Sequence, residues 1–151
     1  AACCASWAEE HVPDGFDATR LTELAGAVIA GARPACAPAF GGWRALPVPS
    51  APRAAAVHQM NVLRELRNGL HGAAVIAAGL TPLQAVSVRS PQMVALFGWP
   101  EPADTEGLQA VWEGAEAQTD VAMAHAFDGL TDAERGELAD LAGALHAALS
   151  G

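Results

Sequence analysis

The sequence predicts an all-α protein, built as a bundle of about six or seven helices. Its composition is 52% hydrophobic and contains no Tyr, and the many Ala and Leu residues favour helix over strand. No segment alternates apolar and polar residues with the period of two that is typical of a half-buried strand, whereas helix-start signals recur. We therefore predict a segment over residues 1–16 and one helical domain over residues 17–151.

The first half of that domain contains one clear helix and a long connection. Asp17 is a candidate N-cap for a helix that continues to about residue 32, with Leu21, Leu24 and Val28 on one side. Residues 33–52 then hold five prolines and the pair Gly41-Gly42. This composition predicts a stiff connection without a regular element, in which aromatic side chains pack on the helices.

A further helix is predicted from Pro52 to about residue 68, and Gly69 is a candidate break before a second helical piece over 70–78. Two more helices have clear starts, because Thr81 and Ser90 each place a capping hydroxyl before a proline. Residues 70–89 therefore also fit two helices joined by a glycine-containing turn, a pattern shared by helix-turn-helix units and ordinary helical corners.

The C-terminal part predicts two helices. The first, over 105–128, has Trp112 and Thr119 on its inner side and Glu113 and Glu116 on its outer side. The last begins at residues 131–134, where Thr-Asp-Ala-Glu forms a capping box.

Charge and hydropathy exclude some functions. Residues 1–100 hold six carboxylates and seven arginines, while residues 101–151 hold eleven carboxylates and one arginine, for a net charge of −9. Such a balance makes nucleic-acid binding unfavourable, since phosphates are bound mainly by Lys and Arg. No apolar run is long enough to span a membrane, and the adjacent Cys3 and Cys4 do not form a disulfide framework. We expect an acidic cytoplasmic protein with reduced thiols.

The candidate site surrounds Glu65, which is the only carboxylate between Glu23 and Glu101. On a helical wheel it falls in a polar stripe. The members of the stripe are His58, Asn61, Glu65 and Asn68, flanked by Arg64 and, if the helix continues, by His71. Arg67 would line the same pocket.

These residue types suit a ligand pocket. The catalytic candidates are His71, Glu65 and His58, because His can transfer protons near neutral pH and a carboxylate can act as a base or orient an arginine. Candidate ligand-binding residues are Arg64, Arg67, Asn61 and Asn68. The alternative is a solvated helix face with a local Glu–Arg pair that contributes little.

Other chemistries find little support in the sequence. No two of the five histidines are three or four residues apart, and no Cys-x-x-Cys motif occurs, so we predict no metal site. Serine nucleophile and phosphate-loop motifs are also absent. The residues do not identify a cofactor.

Several stretches resemble an actinobacterial family labelled helix-turn-helix, with the appearance of MarR-type winged helices. The similarity lies in residues 45–47, 63–80, 99 and 116–120. It includes the motif Arg-Glu-x-Arg-x-x-x-His, formed here by Arg64, Glu65, Arg67 and His71. The resemblance implies a helix-turn-helix core, but the stretch between Trp99 and Glu116 is too short for a β-wing and members of the family have a further N-terminal half.

Three functions follow as hypotheses. The first is a small-molecule-binding or catalytic subunit with a pocket around Glu65 and His71, which forms a homo-oligomer or pairs with a second subunit that supplies the missing N-terminal half. The second is a non-catalytic acidic helical partner or assembly subunit. An exposed Trp99 or Trp112 would favour this hypothesis. The third is a degenerate transcriptional regulator.

Overall fold

The computed structural model describes residues 2–33 and 35–150, with the side chains of residues 2–4 excepted. Within these residues it contains seven α-helices and no strand, which confirms the predicted all-α bundle without a wing. The prediction of reduced Cys3 and Cys4 falls on side chains outside those described. The helices are α1 (Ala2–His11), α2 (Ala18–Gly31), α3 (Pro38–Arg44), α4 (Pro52–Ala77), α5 (Pro82–Arg89), α6 (Gln109–Ala124) and α7 (Asp132–Ser150).

The larger of two hydrophobic clusters lies between α1, α2, α3, α7 and the first half of α4. Phe40, Leu21 and Leu66 are almost completely buried in it. Asp17 caps α2 as predicted by accepting a hydrogen bond from the backbone N–H of Arg20. The predicted capping box at the start of α7 is also formed, through Thr131 and Glu134.

The N-terminal segment is part of this core, although its sequence lacks a capping signal. Ala8 and Val12 are buried between α1 and its neighbours. Arg53 on α4 holds the end of α1 by donating hydrogen bonds to Glu9 and to the carbonyl oxygen of Val12, at 3.1 and 2.9 Å. Residues 5–12 therefore pack together with the domain that the sequence placed over 17–151.

The prediction that residues 33–52 lack a regular element is wrong, because α3 lies within them. Pro38 is the first residue of α3, a position at which proline costs nothing because the N–H it lacks would have no helical partner. Phe40 and Trp43 pack on the larger cluster as predicted.

Helix α4 is continuous, so the predicted break at Gly69 is wrong. The role of this glycine is to allow a close approach: a Cβ atom at Gly69 would lie 2.5 Å from Cβ of Ala37 and 2.9 Å from the carbonyl oxygen of Cys36. The chain before α3 can cross α4 only because residue 69 has no side chain.

The second half of α4 belongs to the smaller cluster. Val75, Leu80, Ala85, Trp112 and Ala115 form it, and they come from α4, the following turn, α5 and α6. Helix α4 contributes buried residues to both clusters, so it is the element that connects them. Helix α6 packs against α4, and α7 packs against α2.

Helices α4 and α5 form a sharp corner. The angle between them is 109°, and the turn over 78–81 contains Gly79 at φ +85°, a left-handed conformation that glycine adopts without strain. Thr81 and Gln84 form a capping box at the start of α5. Both the angle and the turn length are typical of helix-turn-helix units.

Two of the predicted helices after α5 are shorter than expected. Ser90 and Pro91 begin only a single 3-10 turn, Pro91–Met93. The helix predicted over 105–128 begins at Gln109, after Gly107 at φ +72°, and ends in a second 3-10 turn.

Among the described residues, no single helix combines the length and apolarity that a membrane span requires. Helices α4 and α5 meet those criteria only when they are taken together across their 109° corner.

Candidate functional site

The predicted polar residues of α4 do not line one common pocket. His58 lies at a groove, His71 lies at a cavity, and Glu65 lies at neither. His58 borders a groove against α2 and the chain after α3, whereas His71 lines an open cavity between α4, α5 and α6. The two histidines are 13 positions apart on one continuous helix, which corresponds to about 20 Å along its axis. They cannot contact one small ligand together.

The groove beside His58 has a volume of about 340 Å³. The Trp43 ring packs against the imidazole of His58 with 5.9 Å between centroids. Burial lowers the pKa of His58 below its ordinary value, because the protein shields the charged form from water. Arg44 also borders the groove but donates a hydrogen bond to the carbonyl oxygen of Ala32.

Glu65 is only 15% exposed and pairs with its neighbour Arg64, with 2.7 Å between Oε1 and Nη2. Neither Glu65 nor the predicted ligand-binding residues Asn61 and Asn68 line the groove or the cavity. Their roles in binding stay predictions. The structure does not bring Glu65 and His71 into one cavity.

The larger space, which we call the α4–α5–α6 cavity, has a volume of about 450 Å³. This lies within the range of cavities that hold drug-sized molecules. Its walls are mostly apolar and come from both sides of the α4–α5 corner, from the chain after α5 and from α6. The lining residues are His71, Gly72, Val75, Ile76, Pro82, Ala85, Val86, Arg89, Ser90, Met93, Phe97 and Trp112.

His71 is held in the wall by two contacts. Its Nδ1 lies 3.1 Å from Oγ1 of Thr119, and that hydroxyl donates to the carbonyl oxygen of Ala115 at 2.7 Å. Since the hydroxyl proton is used, Nδ1–H must be the donor to Thr119, which assigns the tautomer of the ring. The imidazole also meets the edge of the Trp112 ring, with 4.9 Å between centroids.

An ion pair between α4 and α6 lies next to His71. Arg67 on α4 donates a hydrogen bond to Oε2 of Glu116 on α6 at 2.6 Å. The other oxygen of Glu116 lies 3.7 Å from Nε2 of His71, a separation too long for a hydrogen bond. Glu116, which the sequence placed on the outer side of its helix, therefore faces α4 because Arg67 and His71 lie opposite it.

Sequence reasoning missed Arg89 and Trp112 as residues of the cavity. Arg89 carried a signal, because it is the only charged residue between His71 and Glu101. Trp112 carried none, since a tryptophan on the apolar side of a helix is usually a core residue.

Within the described residues, no group of three or more His, Cys, Asp or Glu side chains is arranged to hold a metal ion. His71 with Nδ1 committed to Thr119 offers one nitrogen, Nε2, to a ligand.

Comparison with known proteins shows the family. A family model described as a helix-turn-helix family matches residues 1–101, which contain α1 to α5 and the first 3-10 turn. Helices α6 and α7 lie outside the matched residues. No curated protein and no solved structure matches the chain.

Proposed function

This chain belongs to a helix-turn-helix family, and from that premise we propose that it binds a small, mainly apolar molecule in the α4–α5–α6 cavity. The observation that carries the proposal is the cavity itself, which opens between the two helices of the helix-turn-helix corner. Trp112 supplies a wall from α6, outside the residues that match the family. A binding site of this kind needs apolar walls and a few polar groups that orient the ligand.

A matched pair of variants tests this proposal. Val86 lines the cavity, whereas Val121 is exposed on α6 and does not line it. Val86→Trp fills the cavity and Val121→Trp adds the same side chain elsewhere. The neutral dye N-phenyl-1-naphthylamine should gain fluorescence with the wild type and with Val121→Trp, and lose that gain with Val86→Trp. Circular dichroism would verify that both variants remain helical.

Two results would contradict the proposal. The first is a wild-type protein that does not bind the dye. The second is equal binding by Val86→Trp, which would show that the dye occupies another surface.

An enzymatic form of this function would use His71. Its Nε2 is the nitrogen left by the hydrogen bond of Nδ1 to Thr119, so it is the atom that would accept or return a proton. The predicted catalytic roles of Glu65 and His58 require a different test, because neither residue lines this cavity. Dye binding that survives Glu65→Gln and His58→Gln but fails in His71→Ala would restrict the site to the cavity.

The second candidate function is DNA binding by a regulator, which the family membership and the α4–α5 corner favour. The second helix of such a unit enters the major groove. Here α5 carries one cation, Arg89, and the side chain of Gln84 already accepts a hydrogen bond from its own cap. A gel shift with genomic DNA of the source organism at low salt would support the regulator hypothesis if the complex dissociates as the salt concentration rises. The absence of any shift would remove it.

An assembly role is favoured by a different surface from the one the sequence indicated. Trp112 is buried and Trp99 is half-buried, but Ile76, Leu96 and Phe97 are exposed. Native mass spectrometry of the purified protein would detect a stable oligomer or a second subunit.

A further inference from the structure

Resting on the proposed function, we infer that the molecule bound in the α4–α5–α6 cavity is an amphipathic acid. Its carboxylate pairs with Arg89, and its apolar body lies against Trp112 and the α4–α5 corner. Around the cavity, the charge of Arg89 is available to a ligand, whereas that of Arg67 is already paired with Glu116.

Arg89 is the available positive charge. It lines the cavity at the last residue of α5 and is exposed. Within the described part of the chain, its side chain forms no hydrogen bond and no ion pair. The field of the α5 carbonyl groups accounts for a cation at this helix end, but it leaves the guanidinium donors for another acceptor. A guanidinium binds a carboxylate through two parallel hydrogen bonds.

The local charge balance favours an anion at this position despite the net charge of −9. No carboxylate occurs between Glu65 and Glu101, so the cavity segments of α4, α5 and the chain after them contain no acid. The formal charge that these segments contribute is that of Arg89.

The part of the wall around His71 is unsuited to a carboxylate. His71 donates Nδ1–H to Thr119, and its Nε2 faces Glu116 at 3.7 Å. The charge of Glu116 would repel a second carboxylate there, although Arg67 partly neutralises it. The acid group of the ligand therefore lies at the Arg89 side, and the neutral part lies at the Trp112 side.

The walls between these two sides accept an apolar body. Val75, Ala85 and Val86 form a continuous aliphatic surface across the corner, and Met93 faces the cavity from the first 3-10 turn. Methionine is unbranched and flexible, so it can adapt to ligands of different outline. A fused aromatic acid or a medium-chain fatty acid has this combination of one charge and an apolar body.

The test compares 2-naphthoate with the neutral 2-naphthamide, which has the same rings. Each compound would displace N-phenyl-1-naphthylamine from the wild type, from Arg89→Gln and from Arg33→Gln. Arg33 is exposed and does not line the cavity, so its variant controls for the loss of one positive charge. A hydrogen-bonded ion pair should make the acid bind at least about tenfold more tightly than the amide to the wild type and to Arg33→Gln. Arg89→Gln should remove that preference and leave the affinity for the amide unchanged.

The possible results separate the two proposals. If the dye binds but the wild type prefers neither compound, or if Arg89→Gln keeps the preference for the acid, the inference about the ligand is wrong and the proposed function stands. If the wild type does not bind the dye, both fail.

Discussion

Replacing Gly69 by Ala tests the close approach that fixes the chain before α3 against α4. An added Cβ would lie 2.5 Å from Cβ and 2.6 Å from Cα of Ala37, about 1 Å less than the normal separation of carbon atoms. The neighbouring atoms belong to the backbone or to a side chain without rotatable bonds, so a large local shift is required. Such overpacking costs about 3 kcal/mol, the upper part of the usual range.

Alanine also stabilises a helix by about 1 kcal/mol relative to glycine, so Gly69→Ala should lower the free energy of unfolding by about 2 kcal/mol. Gly72 is a control on the same helix, because nothing lies within 4 Å of a Cβ at that position. Gly72→Ala should show only the gain of about 1 kcal/mol. The two variants should therefore differ by about 3 kcal/mol.

Urea denaturation followed by circular dichroism measures both effects, with an unchanged slope against urea as evidence that unfolding remains two-state. If Gly69→Ala proves as stable as Gly72→Ala, residues 36–37 do not approach α4 as closely as described above.

Two further predictions concern the polar groups beside the cavity and the groove. Thr119→Val keeps the shape of the side chain but removes the acceptor for Nδ1–H of His71, which should cost about 1–2 kcal/mol of stability. The ¹⁵N NMR spectrum of the imidazole should then lose the Nδ1–H tautomer and keep it in Thr119→Ser, and an identical spectrum in Thr119→Val would refute the assignment. The pKa of His58 is lowered by burial from about 6.5, so the unfolded chain binds more protons than the native one just below that pH. Stability should therefore fall as the pH drops below 6.5, and His58→Gln should flatten this dependence in denaturation series at several pH values, whereas an unchanged slope would assign the dependence to other groups.

The elements that the sequence predicted correctly are those whose signals are local. The caps at Asp17, Thr81 and Thr131 depend on side chains within three residues of the helix start, and short-range hydrogen bonds of this kind can be deduced from sequence. The continuity of α4 could not be deduced, because the glycine that should have weakened it is required by a chain segment more than thirty positions earlier, at Ala37.

The candidate site shows the same difference between local and distant signals. The sequence named His71 because it flanks a polar stripe of α4, and His71 lines the cavity, while its role in binding or catalysis stays a prediction. The cavity that it lines was not found, because its walls are ordinary aliphatic residues that meet only through the 109° corner after α4. Glu65 drew attention as an isolated carboxylate, but its hydrogen-bond partner in the structure is its own neighbour Arg64.

The division of α4 between two clusters has a consequence for how the protein can open. Helices α1 and α7 both pack in the larger cluster, whereas the smaller cluster is formed by the middle of the chain. Separation of α5 and the following 3-10 turn from α6 would unpack the smaller cluster while the larger one keeps its buried contacts. The smaller cluster can thus unfold by itself, at a lower free energy than global unfolding requires. The stability of this minor part, and not that of the whole molecule, would then determine how long the walls of the cavity stay in place.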